Sequence, residues 1–186
     1  MHRQPLLEMI ERYAEAHPGE RDTADRVHDF VSRYSDCFER SLKVGHITGS
    51  AWIIDRTGTK TLLTHHRKLG IWLQPGGHAD GNSNVLEVAM QECLEETGLT
   101  SIEPVSVEIF DMDVHGIPAR KDEPSHFHYD VRFLIQQKGD EDYVISPESH
   151  DLAWVSMEEL ESYTIEWSMR RMRNKALSRL EDRKES

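Results

Sequence analysis

The apolar positions of the first 44 residues recur with the period of an α-helix. The first apolar stripe consists of Leu6, Leu7, Ile10 and Ala14. The segment HPGE, residues 17–20, interrupts it with a proline and a glycine. A second stripe follows in Val27, Phe30, Val31, Tyr34 and Phe38. The pattern predicts an N-terminal helical extension of two helices, residues 1–44, before a main domain of residues 45–186.

From residue 45 onward the apolar period shortens to two, which is typical of strands. Two β-rich runs flank the turn DRTGTK, which contains Gly58, and predict a hairpin. The later segments IFDMDVH and HFHYDVRF also alternate. The first places Asp111, Asp113 and His115 on one face, and the second does the same with His126, His128, Asp130 and Arg132. If the two strands pair, one sheet face gathers all seven side chains.

That polar face has two interpretations. It is either an ordinary solvated sheet face or the border of a pocket, where histidines bind phosphate when protonated or a further metal when neutral. Polar side chains beneath a helix would need partners. We therefore expect the set to lie at a wetted opening, with His78, Asp113 and His128 contacting substrate.

Three further elements are predicted along the chain. Asn84 is a candidate N-cap with Glu87 three residues later, and Gly98 fits the position just beyond the helix end. The segment DLAWVSMEEL predicts a short strand followed by a helix capped by Ser156. Residues 165–180 predict a last helix. Its inward positions are Ile165, Met169, Met172, Ala176 and Leu180.

Composition restricts the partners. The 186 residues carry a formal charge of −12, which disfavours nucleic acid and anionic membranes, because both reward a basic face. Two cysteines provide no disulfide framework, and no apolar run approaches the roughly 20 residues of a membrane span. We expect a cytoplasmic protein without a nucleic-acid or membrane partner, and the sequence leaves a homodimer open.

The predicted helix after Asn84 carries three glutamates close together, Glu92, Glu95 and Glu96. Like charges three or four residues apart cost an isolated helix roughly 0.2–0.5 kcal/mol per pair. Such a cluster is either a solvated acidic face or a site for a hard cation such as Mg²⁺.

The spacing around these glutamates resembles the Nudix box, Gly-x5-Glu-x7-Arg-Glu-U-x-Glu-Glu-x-Gly-U, in which U is a bulky apolar residue. Residues 77–99 match it without an insertion. The matching positions are Gly77, Glu92, Cys93 (as a weak U), Glu95, Glu96, Gly98 and Leu99. Ser83 replaces the first Glu of the pattern and Gln91 replaces its Arg. Because both members of that ion pair are replaced together, we interpret the change as a variant scaffold.

The resemblance implies a fold, an activity and a cofactor. The fold is α+β, a Nudix-type α/β/α sandwich with a mixed sheet. The activity is hydrolysis of a nucleoside diphosphate linked to another group, with a small-molecule nucleotide as substrate and Mg²⁺, or alternatively Mn²⁺, as cofactor. The implied metal ligands are Glu92, Glu95, Glu96 and the carbonyl group of Gly77.

Residues 45–160 and the preceding helices look like a bacterial Nudix subfamily of largely unassigned substrate. The catalytic base is expected in a loop before the last strand, where Glu148 lies. Glu92 itself and Glu123 are the alternatives.

Two other functions remain open. One is a non-catalytic nucleotide-sensing module, which usually lacks box glutamates. The other is a diphosphate isomerase, which needs a cysteine placed as a proton donor. Neither Cys37 nor Cys93 is placed for that role, and Cys93 is expected to face the core.

Overall fold

The computed structural model of the protein describes residues 2–120 and 123–185, and the side chains as far as residue 180. It contains both helices and strands, as the predicted α+β class requires. The α-helices are α1 (Gln4–Ala16), α2 (Arg21–Arg33), α3 (Val85–Thr97) and α4 (Trp167–Glu185). The strands are β1 (Gly45–Ile54), β2 (Lys60–His66), β3 (Trp72–Leu73), β4 (Gly76–His78), β5 (Ile102–Pro104), β6 (Asp111–Ile117), β7 (His126–Gln137) and β8 (Ser149–Ser156).

The chain forms two compact units. The first unit consists of residues 1–50, 77–89 and 107–133, and the second of residues 51–76, 90–106 and 134–186. The strands β1, β4 and β7 and the helix α3 contribute residues to both. The predicted division into residues 1–44 and 45–186 stays a prediction.

The first unit contains the two N-terminal helices and the paired strands β6 and β7. Helices α1 and α2 pack together, and their stripes are buried at Leu6, Ile10, Val27 and Val31. The strands β6 and β7 are antiparallel, with Asp111 opposite Arg132, Asp113 opposite Asp130 and His115 opposite His128. The two alternating segments therefore pair, and the condition under which they share one polar face is met.

Helix α3 begins directly over strand β1 in this unit. A Cβ atom added at Gly49 would lie 2.9 Å from the carbonyl oxygen of Val85 and 3.1 Å from the amide nitrogen of Ala89. Glycine at position 49 therefore allows the helix backbone to approach the strand closely.

The second unit contains the predicted hairpin and the C-terminal helix. Strands β1 and β2 pair with Ile53 opposite Leu62, and β2 also pairs with β3 and β8. The turn contains Gly58 at φ +76°, a left-handed conformation that favours glycine. Within this unit, the fully buried side chains include Trp52, Leu62 and Leu63.

Two predicted helical features are wrong. Ser156 is the last residue of β8, paired with Lys60, and is followed by a turn and the short 3₁₀ helix Leu160–Ser162. Ile165 precedes the start of α4 and is 79% exposed, because the helical period does not apply outside the helix. The inward positions Met169, Met172 and Ala176 are buried as predicted.

The second N-terminal helix is shorter than its stripe suggested. It ends at Arg33, so Tyr34 and Phe38 lie beyond it. No helix among the described residues has both the length and the apolar character needed to cross a membrane.

Candidate active site and histidine cluster

The two ends of helix α3 are fixed as the sequence predicted. The side-chain oxygen of Asn84 accepts the backbone N–H of Glu87 at 3.4 Å, and its carbonyl oxygen accepts that of Val88 at 3.1 Å. At the other end, Gly98 has φ +69° and donates its N–H to Leu94 at 2.9 Å. These contacts set the rotation of the helix and hence the directions of its glutamates.

Glu96 is the buried carboxylate of this helix. Its side chain is 7% exposed and accepts the backbone N–H of Gly76 at 2.8 Å. Burial raises the pKa of Glu96 to about 7, against the opposing effect of the Gly76 hydrogen bond. The negative charges of Glu92 and Glu148 contribute to this rise. The second unit therefore places Glu92 and Glu148 close enough to Glu96 for their charges to act on it.

This donor set fits a hard divalent cation. The groups are carboxylate oxygens, which Mg²⁺ prefers. A bound cation would also stabilise the ionised form of Glu96 that burial and the neighbouring charges disfavour.

Two other predicted metal-binding residues, Glu95 and Gly77, are less buried than Glu96. Glu95 is exposed and accepts a hydrogen bond from Gln91 one turn earlier. Gln91 therefore holds a box glutamate, although it is not the arginine of the family pattern. Gly77 lies in β4, directly after the Gly76 that binds Glu96. The metal-binding roles of Gly77, Glu92, Glu95 and Glu96 stay predictions.

The candidate base Glu148 is exposed in the loop before β8. Its carbonyl oxygen accepts the backbone N–H of Arg67 at 3.0 Å, and the guanidinium group of Arg67 donates to the carbonyl oxygen of Ser149. Arg67 thus holds the loop that carries this carboxylate. Glu123, the second choice, is exposed in the first unit, and its charge partly opposes the lowering of the pKa of His78 by burial.

Both cysteines are buried. Burial raises the pKa of Cys93 to about 12 and that of Cys37 to about 11. The expectation that Cys93 faces the core is confirmed.

An ion-paired network occupies the shared face of β6 and β7. Arg132 donates to Asp130 at 2.6 Å, to Asp111 at 3.0 Å and to Asp113 at 3.3 Å. Burial by itself lowers the pKa of Arg132, but the three aspartate charges overcome this and raise it. On strand β1, Thr48 and Ser50 also donate to Asp130.

The expectation of a wetted opening is wrong for four members of this face. Asp111, Asp130 and Arg132 are buried, because they are one another's partners and need no water. His126 is also buried, with its Nδ1 atom against the carbonyl oxygen of Pro124. Asp113 is half-buried and contacts both Arg132 and, at 3.4 Å, the ring of His115. Its substrate-binding role stays a prediction.

The histidines of this face meet two others at the far end of the strands. His46 of β1, His78 of β4 and His128 of β7 place ligand nitrogens within 4.8 Å of one another. The ring centroids of His46 and His128 are 4.8 Å apart, and His126 lies 5.0 Å from His46. The predicted residues His78 and His128 are therefore brought together, and their roles towards substrate stay predictions.

His46 was missed from the sequence. Its signal was present, because His46, Thr48 and Ser50 alternate along β1, but the fully buried strand made the polar face hard to recognise. All three side chains take part in the polar sites of the first unit.

A cavity of about 670 Å³ adjoins this region in the first unit. Its walls include Phe30, Tyr34, Phe127 and Tyr129, and Phe30 stacks on Tyr129 with 3.8 Å between ring centroids. The cavity is bounded partly by helix α2, so the N-terminal extension contributes to it.

Comparison with known proteins links these features to one family. The family model described as the NUDIX domain matches residues 46–175. A comparison with curated proteins gave no match.

Solved structures share the fold. A C. elegans Ap4A hydrolase in a binary complex aligns with a TM-score of 0.60 and 17% identity over 73% of this chain and 98% of that chain. The MutT protein from Methanosarcina mazei Go1 aligns with a TM-score of 0.54 and 20% identity over 78% and 99%. The NUDIX domain of Shewanella oneidensis NrtR, complexed with ADP ribose, aligns with a TM-score of 0.51 and 16% identity over 82% and 97%. At these identities the likeness concerns the fold alone, and it confirms the predicted fold class.

Proposed function

The chain belongs to the NUDIX domain family of pyrophosphohydrolases, and from this premise we propose that it hydrolyses a diphosphate bond in a nucleoside diphosphate linked to another group, with Mg²⁺ as cofactor. Mn²⁺ is the alternative ion. The observation that supports this proposal is the buried carboxylate of Glu96, next to the charges of Glu92 and Glu148. The cytoplasmic location and the homodimer stay predictions from the sequence.

In this proposal, Glu92, Glu95 and Glu96 hold the cation. Glu96 is oriented by the N–H of Gly76, and Glu95 by the amide group of Gln91. When bound, Mg²⁺ neutralises the charge that develops on the phosphate oxygens and lowers the pKa of a coordinated water. The carbonyl group of Gly77 remains the fourth predicted ligand.

Glu148 acts as the general base. Its carboxylate is exposed, so a water molecule can reach it, and it lies close enough to Glu96 to influence the pKa of that residue. It accepts one proton from the attacking water, whose oxygen forms a bond to phosphorus as the bridging P–O bond breaks. Glu92 is the alternative base.

If the chain is instead a non-catalytic sensing module, it should bind a nucleotide without hydrolysing it. All three box glutamates are present, which favours catalysis over sensing. The isomerase alternative loses support, because both thiols are fully buried and a substrate cannot reach them for proton transfer.

The test is a panel of nucleoside diphosphate derivatives, incubated with the purified protein and Mg²⁺ and analysed for phosphorylated products. ADP ribose belongs in the panel because it is a nucleoside diphosphate linked to a sugar. We expect metal-dependent release of two phosphorylated products from at least one compound, and loss of that activity in Glu95→Gln. Binding without turnover across the panel would favour the sensing module and contradict this proposal.

A further inference from the structure

We propose that His46, His78 and His128 form a second metal site, selective for a borderline divalent ion such as Zn²⁺. The inference goes beyond the proposed hydrolysis and does not depend on it. All three residues belong to the first unit, on the strands β1, β4 and β7.

The geometry of the three rings suits coordination. Their ligand nitrogens all lie within 4.8 Å of one another. A tetrahedral site with Zn–N bonds of about 2.1 Å separates its ligand nitrogens by about 3.4 Å. The rings therefore need to close by about 1.4 Å at most, which side-chain rotation can supply.

The cluster also contains buried nitrogens that lack hydrogen bonds. His46 is 3% exposed, and neither of its ring nitrogens has a hydrogen-bond partner within the described residues. The Nε2 atom of His128 is likewise buried without one. Leaving such a group without a partner is unfavourable. A metal ion that accepts the one lone pair of each neutral ring would satisfy one nitrogen of His46 and one of His128.

The protonation state favours a cation over a phosphate. Burial and, to a smaller extent, the nearby histidines lower the pKa of His46 to about 4 and that of His128 to about 2. Burial also lowers the pKa of His78. The three rings are therefore neutral near pH 7, the form that binds metals, whereas phosphate binding requires the protonated form.

The donor chemistry selects the type of ion. Three imidazole nitrogens suit Zn²⁺, Co²⁺, Ni²⁺ or Cu²⁺, whereas Mg²⁺ prefers oxygen ligands. Three protein ligands leave one position of a tetrahedral zinc site for water or a small anion. The site would thus differ in metal preference from the carboxylate cluster of the second unit.

Two further histidine rings pack against the proposed ligands. The ring of His126 lies beside His46 and His128, with centroids 5.0 and 5.3 Å apart, and its Nδ1 atom is 2.9 Å from the carbonyl oxygen of Pro124. The ring of His115 lies 5.5 Å from that of His128 and contacts Asp113. These two rings surround the proposed ligands by packing.

The test is the binding of Zn²⁺ alone to the full chain, after treatment with a chelator, in competition with a zinc indicator at pH 7.5. We expect one zinc ion per chain that survives millimolar Mg²⁺. Loss of an outer-layer partner alone costs roughly 10–100-fold in metal affinity, so His46→Ala, His78→Ala and His128→Ala should each weaken binding by at least about 100-fold. Co²⁺ should give the intense visible absorption of tetrahedral nitrogen coordination.

Two control variants distinguish zinc binding at the three histidines from zinc binding elsewhere on the chain. His28→Ala removes a half-buried histidine outside the cluster that contacts Glu11, and Glu96→Gln removes the buried box carboxylate. Both should retain the zinc affinity and the cobalt spectrum. Because Glu96→Gln abolishes hydrolysis under the proposed function, failure of one proposal is distinguishable from failure of the other.

Two results would overturn the inference. One is unchanged zinc binding in the histidine variants, and the other is loss of binding in Glu96→Gln with the histidines intact. Circular dichroism checks that each variant is folded. If His46→Ala does not fold, His78→Ala, at a half-buried position, decides the question.

Discussion

Replacing Glu96 with Gln should stabilise the metal-free protein at alkaline pH while abolishing hydrolysis. Glutamine keeps the side-chain oxygen that accepts the Gly76 N–H, but it carries no charge. The pKa of Glu96 is raised from 4.5 to about 7 by burial, opposed by the Gly76 hydrogen bond, and by the charges of Glu92 and Glu148. The ionised form is therefore the unfavourable one in the folded state.

The sign and size of the change in the free energy of unfolding follow from the pKa shift of Glu96 by proton linkage. A raised folded-state pKa contributes stability that is fully present below pH 4.5 and is lost as the pH rises through about 7. Since one pKa unit corresponds to about 1.4 kcal/mol, ionised Glu96 lowers the free energy of unfolding by about 3 kcal/mol at pH 8 and by only about 1 kcal/mol at pH 5. Glu96→Gln should recover these amounts. For a chain of this size, about 3 kcal/mol corresponds to a rise in Tm of roughly 6–12 °C.

The assay is thermal unfolding in chelator at pH 5 and pH 8, followed by the same scans with Mg²⁺. Saturating Mg²⁺ should stabilise the parental chain more than Glu96→Gln, because the variant lacks one ligand. The matched control is Glu95→Gln, which removes an exposed carboxylate from the same helix and should leave the pH dependence unchanged. Equal melting temperatures for Glu96→Gln and the parent at pH 8 without metal would refute the reasoning.

Three further outcomes are expected. Glu148→Gln should lower kcat by about 10²–10⁴-fold, the usual contribution of a general base, with Mg²⁺ binding retained in a titration; parental turnover would instead point to Glu92. Arg132→Met should lower the free energy of unfolding by about 3–5 kcal/mol in urea, because it leaves buried aspartates without their cation, and a change below about 1 kcal/mol would contradict the network. In the Glu96→Gln background, the free energy of unfolding should fall by about 4 kcal/mol between pH 8 and pH 5, about 2 kcal/mol each from His46 and His128, because their lowered folded-state pKa values make stability present above pH 6.5 and lost as the pH falls. A flat profile in chelator would count against the burial of these rings.

Helix α3, which carries the glutamates of the Nudix box, shows which features local sequence patterns can predict. Asn84 and Gly98 predicted both ends of the helix correctly, because capping depends on residues only a few positions apart. The capping box expected from Glu87 does not form, because the Glu87 carboxylate accepts from the side chain of Asn82, which in turn accepts the N–H of Asn84. The fixed spacing of the glutamates then determined that they share one region of its surface. The alternation of β6 and β7 likewise predicted the pairing of their polar sides.

Burial was decided by the tertiary structure. Periodicity assigns a residue to a face, but whether that face is covered depends on segments far away in the sequence. Glu96 and Glu95 are adjacent in the chain, yet Glu96 is buried against the Gly76 amide while Glu95 is exposed. The same reason explains why Asp111 and Asp130 surround Arg132 out of contact with water.

The histidine cluster required the tertiary structure as well. The sequence identified His78 and His128 as candidate polar groups, but their partner His46 comes from a strand 82 positions before His128. Only the packing of three strands places the rings together. The sequence by itself therefore determined the family, the box and the local elements, whereas the folded chain determined which side chains lose water and which distant groups meet, because desolvation and long-range contact depend on the three-dimensional arrangement of the chain.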